Sequence, residues 1–148
     1  MIIFGASGDL TKRKLMPALY SLYREKRLTG EFSILGIGRT VYSDDNYRSY
    51  ILEELQLFVK SEEQDTALMA SFVSHLYYLP MDPAKEEGYP QLRQRLVELT
   101  NEVDPDNLLF YLATPPSLYG VVPLYLKAAG LNTCLLYTSP SPRDYAAS

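Results

Sequence analysis

A doubly wound parallel sheet of the Rossmann-type α/β class is the fold this sequence predicts, and three observations carry it. An apolar run meets a glycine turn and then a helical pattern across Met1–Leu10; three later runs, Phe32–Gly38, Leu76–Leu79 and Asn107–Ala113, alternate with helical patterns; and the last run is apolar from Leu108 onward. Strands alternating with helices build parallel sheets, and a continuously apolar strand is buried on both faces.

The first strand ends in Gly5-Ala6-Ser7-Gly8-Asp9-Leu10. Two glycines there let the chain turn sharply and let a ligand approach the backbone, and the helix behind them offers unpaired N–H groups to an anion. The spacing is G-x-x-G; Ser7 and Thr11 stand where a full dinucleotide fingerprint has its second and third glycines. By itself this pattern also fits a strand-to-helix turn without a ligand.

Leu15, Leu19, Leu22 and Tyr23 recur at helical spacing, which predicts a helix from Leu10 to Arg27 with Pro17 near its start and Gly30 beyond its end. The second strand delivers Arg39-Thr40 at its carboxyl end. An acid at that point of a dinucleotide fold accepts bonds from a ribose 2′-hydroxyl, whereas an arginine accommodates a 2′-phosphate. With Ser7 across from it, Arg39 therefore favours NADP over NAD; the competing reading of Arg39 is a solvated loop residue.

Asp44 or Asp45 is expected to cap the next helix, whose Tyr47, Tyr50, Ile51, Leu55 and Phe58 form one stripe up to Lys60. Another helix starts at Glu62-Glu63 with Leu68, Phe72 and Val73 inward, and the third strand runs on to Met81-Asp82-Pro83. His75, at the helix end, is expected to bond carbonyls rather than to do chemistry. Tyr89 to Thr100 reads as a helix, Asp104-Pro105-Asp106 as a turn, Thr114-Pro115-Pro116 as the break after the fourth strand, and Leu118 to Ala129 as a helix closed by Gly130. Ligands of such sheets bind beyond the carboxyl ends of the strands, where Gly5 to Asp9, Arg39, Asp82 and Thr114 to Pro116 lie.

Composition narrows the function. The 148 residues suffice for one domain with a real core. The net charge is −4, and the basic residues are dispersed apart from Lys12-Arg13-Lys14, so no face for nucleic acid is expected. No apolar run reaches the ~18 residues of a membrane span, and no charged-then-apolar leader precedes the first strand; a cytoplasmic protein without a membrane partner is expected. Cys134 is the only cysteine and His75 the only histidine, which excludes an internal disulfide and any cysteine-based metal cluster.

Gly5-Ala6-Ser7-Gly8-Asp9-Leu10-Thr11-Lys12-Arg13-Lys14-Leu15, then Gly38-Arg39, then Tyr111-Leu112-Ala113-Thr114-Pro115-Pro116-Ser117-Leu118-Tyr119, closely resemble in order and spacing the amino-terminal part of the glucose-6-phosphate dehydrogenases. The resemblance covers residues 1–133, read as a partial NADP-binding domain. It implies NADP-dependent oxidation of glucose 6-phosphate to the 6-phospholactone, with Gly5, Ala6, Ser7, Gly8, Asp9, Leu10, Thr11 and Lys12 around the pyrophosphate and Ser7 with Arg39 at the 2′-phosphate. It places Met81 and Asp82 near the adenosine, Ala113, Thr114, Pro115 and Pro116 near the nicotinamide, and Lys14 at the sugar phosphate. For Lys12 and Arg13 a solvated helix face fits equally well, Asp9 fits an N-cap, and the two prolines fit a strand end.

The family continues into an E-K-P-x-G segment and a second domain with a catalytic His–Asp pair, neither of which is in this sequence. No catalytic base or metal ligand is therefore assigned, the chain is expected to be inactive by itself, and homo-oligomers are expected to form through the missing domain. Residues 134–148 are expected to be a non-native tail, since Cys134 to Asp144 resembles a translated sequencing-library adapter. Leu135-Leu136-Tyr137 is nevertheless expected to lie beside the fourth strand, whose edge needs a partner. An alternative function is a non-catalytic NADP-binding or sensing module.

Overall fold

In the computed structural model, which describes residues 1–28, 32–100, 109–131 and 134–137, the strands β1 (Ile2–Phe4), β2 (Ile34–Gly38), β3 (Leu76–Pro80), β4 (Leu109–Leu112) and β5 (Cys134–Tyr137) form one sheet. All neighbours pair in parallel in the order β3-β2-β1-β4-β5. Phe4 pairs with Ile37 on one side and Leu112 on the other. The direction of winding thus reverses at β1, and the turns after β1, β2 and β4 leave the sheet side by side.

Helices α1 (Met16–Arg24), α2 (Asp44–Phe58) and α3 (Thr66–Val73) cover one face; α4 (Tyr89–Thr100) and α5 (Val121–Ala128) cover the other. The strands alternate between the two cores. Ile3, Ile34, Leu76 and Tyr78 pack with Met16, Tyr47 and Phe72, while Ile2, Phe4, Leu35, Ile37, Phe110 and Leu112 pack with Tyr89, Leu92, Val122 and Leu126. Burying a core side chain of this size contributes roughly 1.5–3 kcal/mol.

The first helix departs from its expected shape. Asp9 and Leu10 are helical, and a wider π-type turn over Thr11–Leu15 follows, in which the Met16 N–H donates to the Thr11 carbonyl five residues back. This makes room for Pro17, whose ring would otherwise press on the carbonyl four residues behind it. The inward residues become Thr11, Met16, Leu19 and Tyr20; Leu15, Leu22 and Tyr23 sit at the margin of the core. The helix ends at Arg24, with Lys26 at φ 62° and the Arg27 N–H on Leu22 O at 2.8 Å. Gly30, expected to mark that end, lies outside the described residues, as does the Asp104-Pro105-Asp106 turn.

Other boundaries shift locally. Ser43, not Asp44 or Asp45, caps α2, its Oγ accepting the Asn46 N–H at 3.1 Å. Ser61–Glu63 is a separate short turn, and α3 starts at Thr66 under an Asp65 cap. A 3-10 turn at Pro116–Leu118 precedes α5, which closes as expected on Gly130 at φ 78°. β5 lies where Leu135 to Tyr137 were expected, beside β4.

The β3 edge is covered. Asp44 Oδ1 accepts the Tyr78 N–H at 2.8 Å and Arg48 Nε donates to Leu76 O at 2.7 Å, so two outward backbone groups are satisfied by α2 side chains. Arg95 of α4 reaches round the edge to pair with Asp44, and the guanidinium carbons of Arg48 and Arg95 stand 4.8 and 5.8 Å from the Tyr77 ring centre. Such a cover removes a template for a further strand.

Candidate functional site

A cleft of about 690 Å³ opens beyond the carboxyl ends of β1 to β4. Its lining comes from Gly5, Ser7 and Gly8 after β1, Gly38 to Thr40 at β2, Asp82 to Ala84 after β3, and Ala113 to Pro115 with Ser117 and Leu118 after β4. That volume lies in the range of small-molecule and cofactor sites, roughly 300–1,000 Å³.

Gly5 makes the turn possible. It sits at φ 86°, and a Cβ on it would drive into the Ala113 carbonyl oxygen. The Gly5 and Ala6 N–H groups both donate to Ile37 O, at 2.8 and 3.0 Å, and Thr11 Oγ1, fully buried, donates to Gly5 O at 2.9 Å. Gly8 is different: a Cβ there would meet only Gly5 O, at 3.3 Å. The fold constrains Gly8 less than Gly5, and a ligand approaching the backbone would add its own demand for a glycine there.

Two buried tyrosines, Tyr47 of the expected α2 stripe and Tyr78 of the expected third strand, hold the turns. The Tyr47 hydroxyl donates to Ala6 O at 2.9 Å, and the Tyr78 hydroxyl donates to Thr40 O at 2.6 Å. Burial pushes the Tyr78 phenol up to about 12, a rise that the neighbouring Ser7 hydroxyl partly offsets. Burial also raises Tyr47 well above the ordinary tyrosine value. Both remain proton donors at neutral pH.

The remaining predicted residues divide between the cleft and its surroundings. Arg39 is exposed on the cleft rim, and none of the ion pairs among the described residues takes it. Asp82 lines the cleft and folds its own turn, Oδ1 accepting the Ala84 N–H at 2.9 Å. Thr114 Oγ1 is buried with no hydrogen-bond partner among the described residues, which suits a site completed by a polar ligand group.

Ala6 and Thr11 are buried behind the turn and Met81 belongs to the α4 core, while Asp9, Leu10 and Pro116 are exposed outside the lining. Lys12 pairs with Asp9 at 3.4 Å, and the Tyr50 phenol beside it, then Asp9, hold its ammonium above the usual lysine value. Arg13 lies 3.9 Å from Asp9 and over the Phe58 ring. Lys14 is exposed on the π-type turn and is not among the lining residues. His75 bonds a carbonyl as expected, but that of Phe32 at 2.9 Å, and stacks on the Phe32 ring.

The lining residues to which the sequence reading gave no site role are Gly38, Thr40, Pro83, Ala84, Ser117 and Leu118. Gly38 carries a signal in hindsight, because a Cβ there would fall 2.6 Å from the Tyr78 oxygen and 2.7 Å from Ser7 Oγ.

A parallel sheet whose winding reverses at β1, with a glycine turn and, at the resulting crevice, an arginine that no ion pair among the described residues takes, defines a dinucleotide-binding domain of the doubly wound α/β class. Residues 2–139 match the family described as glucose-6-phosphate dehydrogenase, NAD binding domain. The chain belongs to that family. It is similar to the glucose-6-phosphate 1-dehydrogenases of Aggregatibacter actinomycetemcomitans, 46% identical over 133 residues, and Treponema pallidum, 35% identical over the same length. Each alignment covers 89% of this chain and 26% of the relative, so the chain spans about a quarter of those proteins. The crystal structure of the Mycobacterium avium glucose-6-phosphate 1-dehydrogenase superposes with a TM-score of 0.81 at 27% identity, over 99% of this chain and 32% of the other. A glucose-6-phosphate dehydrogenase in complex with its substrate glucose 6-phosphate superposes at 0.73 with 32% identity, over 92% and 28%.

Proposed function

We propose that the chain is the coenzyme-binding part of an NADP-dependent glucose-6-phosphate dehydrogenase, a cytoplasmic homo-oligomer that oxidises glucose 6-phosphate at C1 to the 6-phosphogluconolactone. The bound NADP would supply the hydride acceptor. Within this chain the work is binding and orientation: the Gly5–Gly8 turn, which leads into a helix start, takes the pyrophosphate, and the strand ends at Ala113–Pro115 flank the nicotinamide. Lys14 is assigned to the sugar phosphate.

The observation that carries the preference for NADP is Arg39, at the end of β2 with no ion pair among the described residues, no acidic residue next to it in sequence, and Ser7 lining the same cleft. A guanidinium bonds a phosphate through charge-assisted hydrogen bonds of roughly 1.5–3 kcal/mol each. Calorimetric titration of the 148-residue chain with NADP and with NAD tests the reading. Arg39→Ala is expected to weaken NADP by about ten-fold or more while leaving NAD within about two-fold. Equal losses for the two cofactors would remove the 2′-phosphate role.

A further inference from the structure

The Tyr78 hydroxyl is the point where the turn after β1 and the turn after β2 meet: it donates to Thr40 O at 2.6 Å, and it converges with Ser7 Oγ over Gly38, where a Cβ would lie 2.6 Å from the phenol oxygen and 2.7 Å from the serine oxygen. We infer that Tyr78 is a positioning residue that sets the preference of the cleft for a 2′-phosphorylated nucleotide, acting through Ser7 and the Arg39-Thr40 turn without touching the ligand. The inference rests on the proposed 2′-phosphate role of Ser7 and Arg39.

Three features give the phenol that capacity. Its own place is over-determined, because its N–H is held by Asp44, its ring stands 4.7 Å from that of Tyr47 and 5.4 Å from that of Tyr42, and it is buried. It occupies the Thr40 carbonyl oxygen, which would otherwise present the negative end of a dipole to an incoming phosphate. Its oxygen and Ser7 Oγ share the space over Gly38, open only because Gly38 lacks a Cβ, so the phenol limits where the Ser7 hydroxyl can sit. A phosphate oxygen, as a charged acceptor, takes the proton of a Ser7 hydroxyl so placed more strongly than a neutral ribose hydroxyl does. Both effects act on an anion, so removing them should change NADP binding and spare NAD.

Tyr78→Phe in the 148-residue chain deletes the oxygen and keeps the ring. Calorimetry is expected to give an NADP Kd raised about five-fold with NAD within about two-fold. Tyr42→Phe, a neighbour in the same ring cluster, is expected to leave the ratio of the two constants unchanged. Equal weakening of both cofactors by Tyr78→Phe, an equal shift of the ratio by Tyr42→Phe, or a Tyr78→Phe chain that does not fold would each overturn the inference. Arg39→Ala separates the two levels. If it weakens NADP selectively and Tyr78→Phe does not, only the role of Tyr78 fails; if Arg39→Ala is itself unselective, the 2′-phosphate reading fails and the inference with it.

Discussion

The Tyr47 hydroxyl, buried at the first turn of α2, donates to the Ala6 carbonyl oxygen at 2.9 Å, across 41 positions of sequence. Together with Tyr78 on Thr40 it ties the packing of one helical layer to the shape of the cleft.

This arrangement makes stability sensitive to alkali. An unfolded tyrosine ionises near pH 10, roughly, whereas Tyr78 holds its proton to about 12 and Tyr47 beyond the ordinary value. Between those limits the unfolded chain has lost protons that the native chain keeps. The contribution is therefore complete below about pH 10 and lost as pH rises through about 12, at up to about 1.4 kcal/mol per pH unit for each phenol. Urea midpoints measured from about pH 8 to about pH 11.5 should fall across the upper half of that range, and Tyr47→Phe should flatten the fall.

Gly5 and Gly8 should respond oppositely to the same added methyl. Gly5→Ala meets both a left-handed φ and the Ala113 carbonyl, and is expected to cost about 3 kcal/mol or more, read as a collapse of the urea midpoint. Gly8→Ala is expected to cost less stability than Gly5→Ala, since its added methyl would meet only Gly5 O, at 3.3 Å, while weakening both NADP and NAD, because the methyl would stand on the turn proposed to take the pyrophosphate.

Thr11 sits buried with its hydroxyl on Gly5 O, a carbonyl that also accepts the Gly8 N–H. Thr11→Val preserves the shape and removes the bond, so a loss of about 1 kcal/mol is expected by chemical denaturation.

At the β3 edge, Asp44→Ala would release the Tyr78 N–H and leave Arg95 without its partner across the sheet. A loss of about 1–2 kcal/mol is expected, together with a rise in concentration-dependent association by light scattering as the edge is uncovered. Asp44→Asn, which keeps an acceptor for the N–H, should recover most of the stability.

Much of the cleft was legible because its chemistry is local. The Gly5–Gly8 turn, Arg39, Asp82 and Thr114 each begin within two residues of a strand's end, and strand ends are where such sheets bind ligands. The bracing was not legible. Tyr47 and Tyr78 sit on apolar stripes, and a stripe says which way a ring faces without saying which distant carbonyl its hydroxyl will find. The capping of α2 was misjudged for a related reason: Asp44 is a good capping residue, but tertiary structure uses its carboxylate at the edge of the sheet and leaves the cap to Ser43. The first helix was misphased because Pro17 forces a wider turn than apolar periodicity assumes.

That wider turn has a consequence for length. Each residue advances an α-helix by about 100°, so the additional residue accommodated between Thr11 and Met16 rotates everything after it by about that angle relative to the glycine turn before it. Deleting one residue from this stretch would restore a regular spiral, but it would turn Leu19 and Tyr20 out of the core or drag the Gly5–Gly8 turn off the strand ends. The stretch should therefore accept substitutions at its exposed positions far more readily than a change of one in its count.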